Sequence, residues 1–205
     1  MTFPAPNLSN VQPLMLTKRD YVVRRTLAVV LGALVVAGAA QVSVPLPGTP
    51  VPMTLQPMAV LLVGGLLGPR LGALSMILYL AMGAAGLPVF TPTVPLVGIA
   101  RLFGPTGGYL LAYPIAAYAV GAIVPPLRSV ERESGGEDWT RVALGAFLGL
   151  VLIHLGGLAQ LAILTGNLSA AARFGTWPFL LGDLLKIAVL VPVLMQLTPT
   201  IRARL

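Results

Sequence analysis

The sequence predicts an all-α integral membrane protein with six transmembrane helices and both termini in the cytoplasm, and three observations predict it. Of 205 residues, 57% are hydrophobic and only 9% charged, with a mean hydropathy of +0.91, whereas a soluble domain carries about 25% charged residues. Charge-free stretches run over 26–69, 71–100, 102–127 and 142–172, and one span needs about 20 apolar residues. With six helices and an inside start, Lys18, Arg19, Arg24, Arg25, Arg70, Arg128, Arg132, Arg141, Arg202 and Arg204 fall inside, and only Arg101 and Arg173 fall outside. That asymmetry is what the positive-inside rule expects. The chain is therefore read as one membrane domain over 1–205, with 1–20 a cytoplasmic segment and 21–200 the bundle, in the inner membrane of a bacterium.

The same figures exclude a soluble domain, collagen, coiled coil and a disordered tail. The 23 Gly and 19 Pro mark close helix packing and irregular backbone lining a cavity. Without cysteine there is no disulfide, thiolate metal site or thiol catalysis. A pI near 10.6 reports cytoplasmic loops rather than nucleic-acid binding, because no basic stretch is interleaved with aromatics.

The first helix is expected over 27–44. Its apolar run exceeds the roughly 7–15 residues of a signal-peptide core, so it is read as retained. Ala28, Gly32, Ala33, Ala37 and Ala40 place small residues four apart, which suits internal packing or docking to a separate membrane subunit. The next stretch, VSVPLPGTPVPMTLQP, holds five prolines and cannot be regular helix. Being apolar, it is expected to fold against the membrane face or over a cavity. A second helix over 55–67 and a third over 71–84, both short for a full span, flank a tight turn at Gly68, Pro69 and Arg70. The segment 86–108 reads as a long structured loop or re-entrant segment. A fourth helix over 109–124, the hydrophilic connection 125–139, a fifth helix over 140–165 and a sixth over 179–197 complete the chain.

An ionisable group deep in a spanning helix costs about 2.5–3.5 kcal/mol on insertion scales, so the few charges in apolar surroundings are the candidates for function. Asp183 and Lys186 in GDLLKIAVLVP stand at i and i+3, on one face near the outer start of the last helix. They are either a self-neutralising pair that eases insertion or a polar floor for a ligand with donor and acceptor edges. Arg101, isolated in GIARLFGPTGGY, is either a headgroup-snorkelling arginine or a carboxylate clamp. Gln56, Tyr79, Tyr109, Gln160 and Asn167 either line a cavity or bond neighbouring helices. His154 stands alone in its helix, with no carboxylate or second histidine at metal spacing. No nucleophile, base and orienter form a set, so no catalytic residue, metal site or cofactor is expected, and no ATPase motif is present.

The ordered set PVPMTLQPMAVLLVGGLLGPRLGALSMILYLAMGAAGLPVF, LFGPTGGYLLAY and GDLLK resembles the BioY family, the biotin-specific substrate-binding components of energy-coupling factor transporters. The resemblance covers nearly the whole membrane part. It implies an S-component-like bundle of six helices with an outward-facing pocket, closed over the vitamin by the loops after helices one and three. It further implies biotin as transported ligand, with a transmembrane coupling subunit and two cytosolic ABC-type ATPases as partners. In the family an aspartate and a lysine of the last helix contribute to the biotin site, and Asp183 and Lys186 match them. An arginine clamp carries over onto Arg101, although TPTVPLVGIARL departs from the family's glycine-rich loop. Tyr79 and Tyr109 stand in matching motifs, and Met53, Leu55 and Phe90 are expected to cover the biotin bicycle. Two other classes stay open: an ion-coupled secondary transporter of a small carboxylate-bearing solute, which the lack of a sequence repeat weakens, and a purely structural membrane subunit.

Overall fold

The computed structural model describes residues 18–124 and 135–205. Helix α1 (Lys18–Gln41) leads into a small hairpin, β1 (Ser43–Val44) antiparallel to β2 (Met53–Thr54), with Ser43 opposite Thr54 and Val44 opposite Met53. Then follow α2 (Gln56–Ala84), the short α3 (Ala100–Phe103), α4 (Gly107–Ile123), α5 (Gly135–Thr165), α6 (Leu168–Gly175), a 3-10 turn at Trp177–Phe179, and α7 (Leu180–Arg202). Four helical stretches are long and apolar enough to cross a membrane, and α4 is a shorter apolar one.

The expected six helices are present because α2 is two helices. Gly68, at φ 80° and ψ 178°, separates 56–67 from 69–84, a conformation that only glycine adopts without strain. A Cβ added to Gly72 would lie 2.8 Å from the Cα of Gly64, whereas eight residues of straight helix separate Cα atoms by about 12 Å. The halves therefore turn back on each other. At about 1.5 Å per residue they reach roughly 18 and 24 Å, less than the ~30 Å hydrocarbon core, so both are short, as expected.

Three elements depart from expectation. The proline-rich loop contains the β1–β2 hairpin, too brief for an alternating pattern to reveal. The stretch between the fifth and sixth helices holds α6, an eight-residue amphipathic helix whose N-cap, Asn167, accepts from the Ser169 and Ala170 amides. Helix α5 begins at Gly135 rather than residue 140. The N-terminal segment up to residue 17 and the charges Arg128, Glu131, Arg132 and Glu133 lie outside the described residues.

Backbone contact through glycine holds the bundle together. A Cβ on Gly64 would meet Ala117 O at 2.5 Å, and one on Gly121 would meet the carbonyl carbon of Gly68 at 2.4 Å, so α2 and α4 approach to backbone distance, as membrane helices do. The small stripe of α1 faces inward: Gly32, Ala33, Ala37 and Ala40 are buried, with Gly32 against Val63 and Ser75. Its role here is internal packing.

Both described ends emerge at one face, where Arg25 Nε donates to Leu205 O at 3.5 Å. There the backbone loses partners, because Pro69 has no N–H for Gly65 O, and the residue four beyond Gly121 is Pro125. Arg202 takes up these carbonyls. Its Nε and Nη2 donate to Gly65 O at 3.1 and 2.7 Å, Nη2 also to Gly121 O at 3.1 Å, and Nη1 to Val124 O at 2.8 Å. One guanidinium thus joins α2, α4 and α7.

Two stability predictions follow from this packing. Arg202→Met keeps the stem and removes the donors; with buried carbonyls costing about 1–3 kcal/mol each when unpaired, it should lower stability by about 2–4 kcal/mol in detergent unfolding, while Arg204→Met, at an exposed position, should not. Gly64→Ala should cost about 1–3 kcal/mol through overpacking. Gly38→Ala, where a Cβ meets nothing within 4 Å, should be neutral or stabilising; equal midpoints for the two variants would refute the close approach.

Candidate functional site

At the opposite end of the bundle, the segments 42–55 and 85–106 fold over α4, α5 and α7 around a small cavity of about 50 Å³. Val51, Pro52 and Thr54 line it from the first segment, and Phe90 and Thr91 from the second. The apolar proline-rich loop therefore covers a cavity, as its composition suggested. Leu110, Tyr113, Ile153 and Phe179 supply apolar wall.

The polar floor lies at the start of α7. Asp183 is buried, with Oδ1 accepting from Lys186 Nζ at 2.8 Å and Oδ2 standing 2.8 Å from His154 Nε2 on α5. His154 has no carboxylate at metal spacing in its own helix, but the structure gives it one from α7. The partner sits 29 residues away on another helix, which local spacing cannot reveal. An imidazole inside an apolar helix was itself the available signal.

Arg101 is 1% exposed and lies between cavity and loop. Its Nη1 donates to the carbonyls of Val94 and Leu96, and its Nη2 to that of Thr91. Nε makes no hydrogen bond. Burial pulls its pKa below the ordinary value, and among the described residues no carboxylate stands within ion-pair distance of it. It is a buried cation held by carbonyl dipoles, with the Phe90 ring 6.0 Å from its guanidinium carbon, not a snorkelling one.

Gln56 is buried at the cavity wall and donates from Nε2 to Tyr79 Oη at 2.6 Å; Tyr79 donates onward to Val89 O at 3.2 Å. Tyr79 thus stands behind Gln56 rather than at the cavity, stacked on Tyr113 and edge-on to Phe90. Tyr109 lines the cavity and donates to Gly175 O at 2.5 Å. Its ring occupies the space a side chain at Gly157 would need and meets His154 edge-on at 6.1 Å. Gln160 donates to Leu102 O and Gly104 O, and Asn167 caps α6, so both serve neighbouring backbone. Met53 packs near Gly182, Leu55 is exposed, and of the three expected cover residues Phe90 lines the cavity.

Thr106 is a lining residue that sequence reasoning missed. It is the N-cap of α4, yet its hydroxyl makes no capping bond and is buried without a partner. Arg101 Nε, Thr106 Oγ1 and His154 Nδ1 are all unpartnered atoms of cavity-lining residues, and buried polar atoms are seldom left so. Two cations, Arg101 and Lys186, against one anion, Asp183, leave a surplus positive charge beside a largely apolar wall. The arrangement suits an anion that also carries hydrogen-bonding edges.

Comparison with known proteins identifies the family. The family model described as BioY family matches residues 10–203. The chain is 40% identical over 152 residues to the probable biotin transporter BioY of Pyrococcus horikoshii, covering 74% of this chain and 82% of that protein. It is 33% identical over 165 residues to the biotin transporter BioY of Thermotoga maritima, covering 80% and 89%. The crystal structure at 2.1 Å of the S-component for biotin from an ECF-type ABC transporter superposes with a TM-score of 0.75 at 26% identity, over 88% of this chain and 93% of that one. The chain is a multi-pass membrane protein and belongs to the BioY family.

Proposed function

We propose that this chain is the biotin-binding subunit of an energy-coupling factor transporter, capturing biotin with high affinity from outside and delivering it across the membrane with a transmembrane coupling subunit and two cytosolic ATPases. The observation that carries the reading is the surplus buried cation, Arg101, facing the same cavity as the Asp183–Lys186 pair. Biotin presents a carboxylate at one end, a ureido ring with two N–H donors and a carbonyl at the other, and an apolar thioether bicycle between.

Each feature has a counterpart. Asp183, an acceptor when ionised, receives ureido N–H groups; Lys186 has donors beyond the one given to Asp183 and turns them to the ureido carbonyl. Arg101 meets the carboxylate. The carbonyls of Thr91, Val94 and Leu96 take three of its five N–H donors, and it offers the carboxylate its Nε–H, the second Nη2–H and its charge. Gln56 and Tyr109 supply further polar wall, and Tyr79 holds the Gln56 amide in place. Phe90, Tyr113 and Phe179 cover the bicycle. The chain's own part is binding, and ATP hydrolysis falls to the partners.

Equilibrium binding of radiolabelled biotin to detergent-purified protein tests this, with unlabelled biotin, thiamine and riboflavin as competitors. Saturable binding near one per chain, displaced by biotin alone, is expected. Asp183→Asn, Lys186→Ala and Arg101→Gln should each weaken binding by about 10- to 100-fold, the loss of one charge-assisted contact. Normal affinity in folded samples of all three would sink the residue assignment, and no binding by the folded wild type would sink the function.

A further inference from the structure

We infer that His154 is a positioning residue for substrate binding: from α5 it fixes the second oxygen of Asp183, so that the carboxylate is held from two helices. The inference deepens the biotin reading and rests on it. Lys186 alone, three residues on along the same helix, anchors only Oδ1; a carboxylate held at one oxygen still turns about its terminal torsion, which is broad and roughly two-fold. The bond from His154 Nε2 to Oδ2, also 2.8 Å, comes from a different helix and removes that freedom.

The chemistry fixes the hydrogen. An ionised Asp accepts only, so the proton in this bond belongs to Nε2. The carboxylate has about four lone-pair directions; two are taken by Lys186 and His154, and two remain in a defined plane at the cavity wall. A ligand with a pair of N–H donors needs them fixed before it arrives, because each group still to be ordered on binding subtracts from affinity. The ring itself is held by its edge-on contact with Tyr109, whose hydroxyl is tied to Gly175 O. The positioning thus runs from Gly175 through Tyr109 and His154 to Asp183.

The variants separate donation from packing. His154→Phe keeps an aromatic body without a donor, and His154→Gln restores an N–H donor at similar reach. We expect the Phe variant to bind biotin about 10- to 100-fold more weakly, the Gln variant to recover to within about threefold of wild type, and His154→Phe to add no loss in an Asp183→Asn background. Thermal midpoints confirm folding. A folded Phe variant with wild-type affinity, a Gln variant as weak as Phe, or additive losses in the double mutant would each overturn the inference. His154 is the chain's one histidine, so 15N-histidine labelling reports on it without any ligand. A protonated, pyrrole-type Nε2 whose signal moves in Asp183→Asn supports the contact; an unprotonated Nε2 or an unmoved signal overturns it. Failure of wild-type biotin binding with this signature intact would instead count against the functional reading alone.

Discussion

Inside a bilayer an unpaired backbone carbonyl has no water to turn to, and the fold depends on how this chain answers that constraint. Proline and irregular backbone free carbonyls at both ends of the bundle, and at each end one arginine gathers them. Arg202 takes those of Gly65, Gly121 and Val124 where α2, α4 and α7 meet. Arg101 takes those of Thr91, Val94 and Leu96 where the second loop closes over the cavity. Arginine suits this better than lysine, because its planar group holds five donors in fixed directions and is more weakly hydrated. The cost of burying a cation is offset by carbonyl dipoles that would otherwise be unpaired themselves.

The two ends use this device differently. At the Arg202 end it joins helices already in backbone contact, with Gly121 against the turn at Gly68, and the result is a rigid floor. At the Arg101 end it ties the second loop to itself, from Thr91 to Arg101. The cover over the cavity is otherwise fastened by bonds such as Thr49 Oγ1 to Phe174 O at 2.6 Å and Gln41 Nε2 to Pro88 O at 3.4 Å, each worth about 0.5–1.5 kcal/mol. Burial of Val51, Val89 and Phe90 in the apolar core fastens the cover further.

Much of this was legible in the sequence, for physical reasons. Hydropathy gave the helix count, because the bilayer imposes span length on composition directly. Gly68–Pro69 announced the turn that halves α2, since one residue needs positive φ and the next cannot donate. Asp183 and Lys186 were visible as charges where charges are costly. What stayed hidden depends on tertiary proximity. The three-residue spacing of Asp183 and Lys186 is local, whereas His154 reaches Asp183 only because α5 lies beside α7. Nor could Arg101 be separated into snorkelling or clamping from its neighbours in sequence, because its carbonyl partners belong to a loop without periodic pattern. The hairpin and α6 are too short for any periodicity to declare them.

The charges around the cavity divide into a satisfied set and an unsatisfied one, and the division bears on what each contributes. Asp183 is answered within the chain by Lys186 and His154, so this cluster is neutralised with or without a ligand and its value lies in the fixed directions of its remaining lone pairs. Arg101 has dipoles but no counter-ion among the described residues. A ligand carboxylate supplies one in a medium where Coulomb attraction is poorly screened. In the proposed reading, orientation and discrimination therefore fall to the α5–α7 cluster, and the gain from bringing a negative charge into the cavity falls to the loop. On that reading the residue that receives the ligand's carboxylate is the one that holds the loop's carbonyls, so charge capture and the fold of the cover would share one guanidinium.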